Sequence, residues 1–362
     1  MTLASVLKEY RNRYNLTQQQ LAENLSVDER TLRRWENRET ILNDMGELRR
    51  IAAALGVDAE KLGVAGTVVI MTDEQAEEIL RLVWKLIKEG RVYEARTIAE
   101  RLVEDLQTNA LHPGSYQHLW RLTHAHHAAA YAKAMNTRNS EIRYPLASYA
   151  EMEKTARQVN DATLLAIALT YEGDMHARKG EIEKGLKFLE AAVNTAPEQD
   201  IATKGNAVQL LARGYLKAGR VKQFERFMAR AEELAGQLTD EGITQGQYGL
   251  KSVYEEYAKS YALRGEMQKA LEYVWKAQQV PAYDKHWEIV LKTTTAMALV
   301  RGGEVQSGVD MAVECVELCR KFGTLRLLER IYSVQSDLER LRRNIGQSSA
   351  TLREALDGPS EY

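Results

Sequence analysis

Four glycines, Gly180, Gly219, Gly265 and Gly303, sit at the same point of a recurring pattern of small residues. Seven residues before them stand Gly173, Ala212, Ala258 and Ala296, and twelve after stand Ala192, Ala231, Ala277 and Cys315. Small side chains at fixed offsets suit two helices whose backbones approach closely, and a glycine between them accepts the left-handed turn that joins them. Five residues after each glycine come Gly185, Phe224, Ala270 and Gly308, so Phe224 alone breaks the rule; four before come His176, Tyr215, Tyr261 and Leu299. The pattern predicts consecutive antiparallel helix pairs. Composition agrees: only 5 prolines interrupt 362 residues that are 44% hydrophobic and 28% charged, which excludes a disordered or collagen-like chain.

These offsets resemble the tetratricopeptide repeat, with small residues at its helix contacts, a tyrosine late in the first helix and a closing proline matched by Pro197 and nearly by Pro281. The glycines are 39, 46 and 38 residues apart, so the pairs are longer than the family's usual length of about 34. A first pair fits around Gly90 and Ala95, and a degenerate one between Ser115 and Asn160 turns at Asn136 to Asn139, giving about six pairs. Leu325 to Arg343 and Ser348 to Leu356 read as terminal helices that cap the stack or build a dimer contact.

Gly63 to Met71 carries two glycines and a β-branched run without helical period, and helix resumes at the capping box Thr72-Asp73-Glu74-Gln75. The expected order is a domain over 1–63, a linker over 64–72, repeats over 73–323 and terminal helices over 324–362. In the first domain, Thr17-x-x-Gln20 starts one short helix, Asp28 is an N-cap for the next, and Ser26 lies in the turn between them. Leu16, Leu21, Ala22, Leu25, Val27, Leu32 and Trp35 can meet in one core, leaving Glu29, Arg30, Thr31, Arg33 and Arg34 on the outer face.

The order of parts over Leu3 to Leu62 resembles the phage-repressor class of helix-turn-helix domains, the Xre or Cro/C1 class, with Leu48 to Val57 and Asp58 to Leu62 as its fourth and fifth helices. The fold class expected is therefore all-α: a five-helix phage-repressor-type DNA-binding domain followed by a right-handed tetratricopeptide-like solenoid. The resemblance implies a structural pair between Arg11 and Glu36, and a phosphate contact from Gln18 at the start of the second helix. It implies that Arg30, Thr31 and Arg34 face base edges, with Glu29 able to accept from cytosine and Arg33 and Arg38 meeting phosphates. Residues 1–62 hold ten Lys+Arg and ten Asp+Glu, so the domain has no general positive field and its affinity should depend strongly on dimerisation. Arg38 to Leu42 also replaces the family's Gly and Pro after the second helix of the motif.

Tetratricopeptide stacks present a concave face lined by the first helix of each pair, which usually holds an extended peptide or a partner's helix. By offset, that face carries Thr170, Asp174 and Arg178, then Asn206, Gln209, Arg213 and Lys217, then Ser252, Glu255 and Lys259. Asn206 and Gln209 suit a peptide backbone because an amide offers donor and acceptor together, and the four cations suit a carboxylate. A phage-repressor head joined to such an array resembles the peptide-pheromone-responsive regulators of Gram-positive bacteria and their phages, the RRNPP quorum-sensing family. That resemblance implies a homodimeric regulator of a double-stranded DNA operator, gated by a short peptide or another effector in the groove. The competing reading is an interaction scaffold whose repeats hold a partner protein.

Enzymatic readings find no constellation: no Walker loop, GxSxG or HExxH occurs, so neither catalytic residues nor a cofactor are expected. His118, His124, His126 and His127 cluster without a nearby carboxylate or thiol, which speaks against a metal. Cys315 and Cys319 stand four apart on one helical face, at repeat contacts, and read as small core residues in a reducing compartment. With no membrane-length apolar run and no signal-like start, a cytoplasmic protein is expected, without a membrane partner.

Overall fold

In the computed structural model, which describes residues 3–37, 39, 42, 44–62, 71–110, 112–240, 242–281 and 285–357, the chain divides into two units, Met1–Ile70 and Met71–Tyr362. Among the described residues all named elements are helical.

The first unit contains α1 (Leu3–Arg13), α2 (Gln18–Asn24), α3 (Glu29–Glu36) and α4 (Met45–Leu55), and the fifth helix expected from sequence is a single 3-10 turn, Ala59–Leu62. Side-chain caps set the helix starts. Thr17 and Gln20 form a reciprocal capping box on α2, Asp28 accepts from the Thr31 amide at the start of α3, and Asp44 accepts from the amides of Gly46 and Glu47. Ser26 takes φ 56° in the turn between α2 and α3. Leu7, Leu21, Leu25, Leu32 and Ile51 are fully buried together with Trp35, each such side chain contributing roughly 1.5–3 kcal/mol. Leu16 and Val27 pack at the edge of this core.

The second unit is built from six antiparallel pairs: α5 (Asp73–Lys88) with α6 (Val92–Asn109), α7 (Tyr116–Met135) with α8 (Arg143–Val159), α9 (Ala162–Arg178) with α10 (Ile182–Thr195), α11 (Ile201–Lys217) with α12 (Val221–Gly236), α13 (Leu250–Leu263) with α14 (Met267–Gln279), and α15 (Lys285–Arg301) with α16 (Val305–Phe322). The four repeat glycines all have φ between 72° and 97°, the region that side chains avoid. The small offsets have an equally direct cause. A Cβ on Gly173 would lie 2.9 Å from the Gly185 carbonyl oxygen, and one on Gly185 would lie 2.8 Å from the Ala177 amide nitrogen. Phe224, the large exception, is buried in the main core with its ring edge-on to Tyr257.

The two terminal helices expected from sequence are one continuous helix, α17 (Leu325–Asp357). Its Gly346 costs only about 1 kcal/mol relative to alanine, too little to stop a helix of this length. The first part of α17 touches α15, α16 and α7, so the last pairs of the stack meet the early ones. Asn136, after α7, donates its amide to the Gly323 carbonyl at 3.0 Å, and the Asn139 amide donates to Glu329 at 3.0 Å. The inner face of the array is thereby enclosed, whereas sequence led us to expect an open groove.

Candidate functional site

On α3, the cap and the core fix the register. Leu32 and Trp35 point inward, and Arg30, Arg33 and Arg34 are exposed. Arg33 pairs with Glu29 at 3.0 Å, and the Thr31 hydroxyl donates to the Asp28 carboxylate at 2.6 Å. That bond, the largest cause, holds the Asp28 carboxyl below its usual range. Arg30 and Arg34 have no ion-pair partner among the described residues, so their guanidinium forks are available to an external acceptor. Arg38 lies outside the described residues.

Beneath this helix, Glu36 is 1% exposed and receives the Arg11 guanidinium at 2.9 Å on one oxygen and the Gln18 amide at 2.7 Å on the other. The Arg11–Glu36 pair is therefore structural, as the sequence resemblance implied. Gln18, expected to meet phosphate, has its amide nitrogen engaged inside the domain.

Residues 7–62 match the helix-turn-helix family. The amino-terminal unit is an Xre-type helix-turn-helix domain. No curated relative matches the chain in sequence. Among solved structures, a Rap protein in complex with competence and sporulation factor is similar at 16% identity over 90% of this chain and 80% of that one, with a TM-score of 0.53. The apo form of RapI is similar at 13% identity over 79% of this chain and 94% of that one, with a TM-score of 0.50. PlcR of Bacillus thuringiensis, in complex with the peptide PapR7 and DNA, matches at 18% identity over 76% of this chain and 93% of that one, with a TM-score of 0.40. The first two establish the tetratricopeptide-like fold of the repeats.

Behind the helix-turn-helix domain in sequence, the inner face of the repeats gathers the residues expected to line a groove, but most are buried. Arg213 stands at the centre, donating to Glu256 at 2.7 and 2.9 Å and to Asp174 at 3.3 Å. Burial alone would raise the Asp174 pKa, but Arg213, Lys217, Arg178 and Arg326 outweigh it and hold it at about 2. Burial pushes Lys259, paired with Glu256, down to about 8, and Arg178 down to about 10. Gln209 and Ser252 bond each other, the hydroxyl donating to the amide oxygen at 2.9 Å. Thr170 is fully buried and donates to the Ala166 carbonyl of its own helix, so it faces no groove. Lys217 remains exposed. Asn206 is 4% exposed, and its amide nitrogen, beside the Tyr171 hydroxyl, makes no hydrogen bond of good geometry among the described residues.

Sequence reasoning missed the residues that close this face. Arg330 of α17 donates to Glu255 at 2.6 Å, which also receives the Thr294 hydroxyl at 2.8 Å; Arg326 and Glu329 stand beside it. The available signal was Arg326-x-x-Glu329-Arg330, a charged cluster on a helix expected to cap an apolar end. Between these groups lie spaces of about 60 Å³ beside Asn206 and Gln209, and of about 260 Å³ among Asp174, Arg178, Lys217 and Arg326. Both fall below the roughly 300 Å³ at which small-ligand pockets begin.

The histidine cluster is a packing feature. His127 is 1% exposed among Trp84, Tyr131, Tyr149 and Tyr171, and burial lowers its pKa to about 3. Among the described residues no group of three or more potential ligands could hold a metal. Cys315 and Cys319 are buried free thiols, and burial raises the former to about 12. No helix among the described residues is long and apolar enough to cross a membrane.

Proposed function

We propose that the protein is a dimeric, sequence-specific, cytoplasmic transcription regulator whose DNA affinity is gated by a peptide or other effector at the inner face of its repeats. The observation that carries this reading is α3: a capped helix in a helix-turn-helix domain presents Arg30 and Arg34 outward and unpaired. An arginine fork matches guanine O6 and N7, and each such contact discriminates by about 1–3 kcal/mol. Thr31, Glu29 and Arg33 flank these two arginines, and Gln18 with the amides of α2 remains the candidate phosphate contact, joined by Arg38.

Dimerisation is supported by the exposed side chains of Ile345, Leu352 and Leu356 on the free end of α17. An apolar stripe on a projecting helix suits a second copy, and a two-fold dimer reads a palindrome. For the effector, the buried Asn206 amide, which makes no hydrogen bond of good geometry among the described residues, is the anchor, with Gln209, Asp174, Arg178, Arg213, Lys217, Ser252, Glu255 and Lys259 around it. Six cations against four acids, counting Arg326, Arg330, Glu256 and Glu329, leave a positive excess that favours an anionic effector. In this scheme the effector competes with the acids for Arg330 and Arg213, and α17 moves when it wins.

Selection of DNA from a random duplex library by the purified full chain tests the first half. The expected product is a palindrome with half-sites about 34 Å apart or a multiple of that, lost when Arg30 and Arg34 are both changed to alanine. Recovery of no enriched sequence would put the scaffold reading first. Asn206→Ala tests the second half: it should weaken the effector and leave effector-free DNA affinity unchanged.

A further inference from the structure

A cleft of about 750 Å³, open to solvent, lies away from the inner face, at the seam where the first pair meets the last. That volume is within the range of small-molecule sites, roughly 300–1,000 Å³. The lining is aromatic on both sides, with Trp84 and Trp120 on one and Phe322 on the other. Trp120 packs against His124, the rings tilted by 50° with centroids 4.0 Å apart, and burial lowers the His124 pKa to about 4, so this imidazole adds a neutral ring. Phe322 reaches the seam because Gly90 makes room for it: a Cβ there would lie 3.0 Å from its ring.

The rim is cationic. Among the described residues that line it are Arg81, Lys85, Lys88 and Lys285 and one acid, Glu89; Lys88 has an interaction of its own, so the charge open to a ligand is that of Arg81 and Lys85. Arg81 is exposed and has no ion-pair partner among the described residues. Lys85 is only loosely opposed by Glu89, at 3.9 Å, and Lys285 is shared between Glu288 at 2.6 Å and the face of Phe322 at 5.6 Å. Flat apolar walls beside Arg81 and the loosely held Lys85 complement an amphipathic anion, whose ring or acyl body leaves water while its charged group meets these two cations.

We propose that this seam is a binding site for a small aromatic or acyl anion, a carboxylate, sulfonate or phosphate, separate from the inner face. Its walls come from α5 and α7 on one side and from α15 and α16 on the other, so an occupant bridges the first and last pairs and holds the array closed. The proposal does not depend on DNA binding or on an effector at the inner face.

The test titrates the full chain with three isosteric probes, naphthalene-2-sulfonate, naphthalene-2-carboxamide and naphthalen-2-ylmethylammonium, read by tryptophan quenching and ligand-observed NMR. We expect one sulfonate per chain, the amide weaker by about tenfold or more, and no saturable binding of the ammonium. Arg81→Glu combined with Lys85→Glu, and separately Trp120→Ala, should each weaken the sulfonate by about tenfold. Trp275→Ala, in the neighbouring cavity, should leave it unchanged, with helicity and melting confirming the fold of each variant. Equal affinity for sulfonate and ammonium would overturn the proposal. So would undiminished sulfonate binding by the folded charge-reversal variant, or loss on Trp275→Ala alone.

Discussion

The α3 face and the inner face of the repeats are both rich in arginine, yet the two use it in opposite ways. On α3, Arg30 and Arg34 stand in solvent without partners, so a phosphate or a guanine edge meets a cation that has nothing to give up. Inside the repeats, Arg213 is held by Glu256 and Asp174, and Arg330 by Glu255 and Thr294. A ligand there must replace an existing acid. The first arrangement favours rapid, salt-sensitive association; the second ties ligand binding to a rearrangement of the protein itself, which is what a gate requires.

The sharpest way to separate the two is to remove one arginine from each. Arg213→Ala takes the Arg213 ion pair from Asp174 and leaves Glu256 with Lys259 alone; these acids are 4% and 0% exposed, and breaking a buried pair costs about 3–5 kcal/mol. Urea denaturation should show a loss of that order. Arg34→Ala, by contrast, should change stability by less than about 0.5 kcal/mol while lowering operator affinity by about 1–3 kcal/mol. If Arg34→Ala proved the more destabilising of the two, the contrast between free and engaged cations would fail.

A second test sharpens the picture of the repeat interior through pH. Burial, reinforced by Glu153, raises the Glu172 pKa to about 8. A carboxyl whose folded pKa is raised holds its proton longer in the folded state, so its ionisation counts against folding once pH exceeds the unfolded value. The penalty grows between the ordinary value of 4.5 and about 8 and is constant above that. Glu172→Gln should therefore melt with the parent near pH 4 and progressively above it as pH rises to 8. Parallel melting temperatures across that range would show that Glu172 ionises freely.

The same contrast explains what was legible in the sequence. Local devices were: the capping boxes at Thr17 and Thr72, the Asp28 cap, and the repeat glycines all act within a few residues, so spacing alone reveals them. The pairing of Arg11 with Glu36 spans 25 positions and was legible only through resemblance to a domain whose register is shared. Closure of the array was not legible. Glu255 meets Arg330 across 75 positions and Asn136 meets Gly323 across 187; no local pattern encodes such distances. Arg326, Glu329 and Arg330 look in sequence like a solvated helix face, and only the return of the last pairs onto the early ones encloses them.

The smallest expected effect lies at Arg33, which stands between the two regimes. It is as exposed as its neighbours, with 59% of its side chain accessible, but it pairs with Glu29 one turn earlier. Exposed i,i+4 pairs contribute about 0.3–0.5 kcal/mol, so Arg33→Ala should barely move the melting temperature. A phosphate contact from Arg33 would instead appear in the salt dependence: the slope of log affinity against log salt should fall by about one unit on substitution, with sequence preference unchanged. A base contact would relax preference at one position and leave the slope nearly intact. Glu29→Gln distinguishes these further, because releasing Arg33 from its partner should strengthen non-specific DNA binding if Arg33 faces the backbone. No change in either variant would mean that the pair is purely internal, leaving Arg30 and Arg34 as the cations of α3 that the DNA meets.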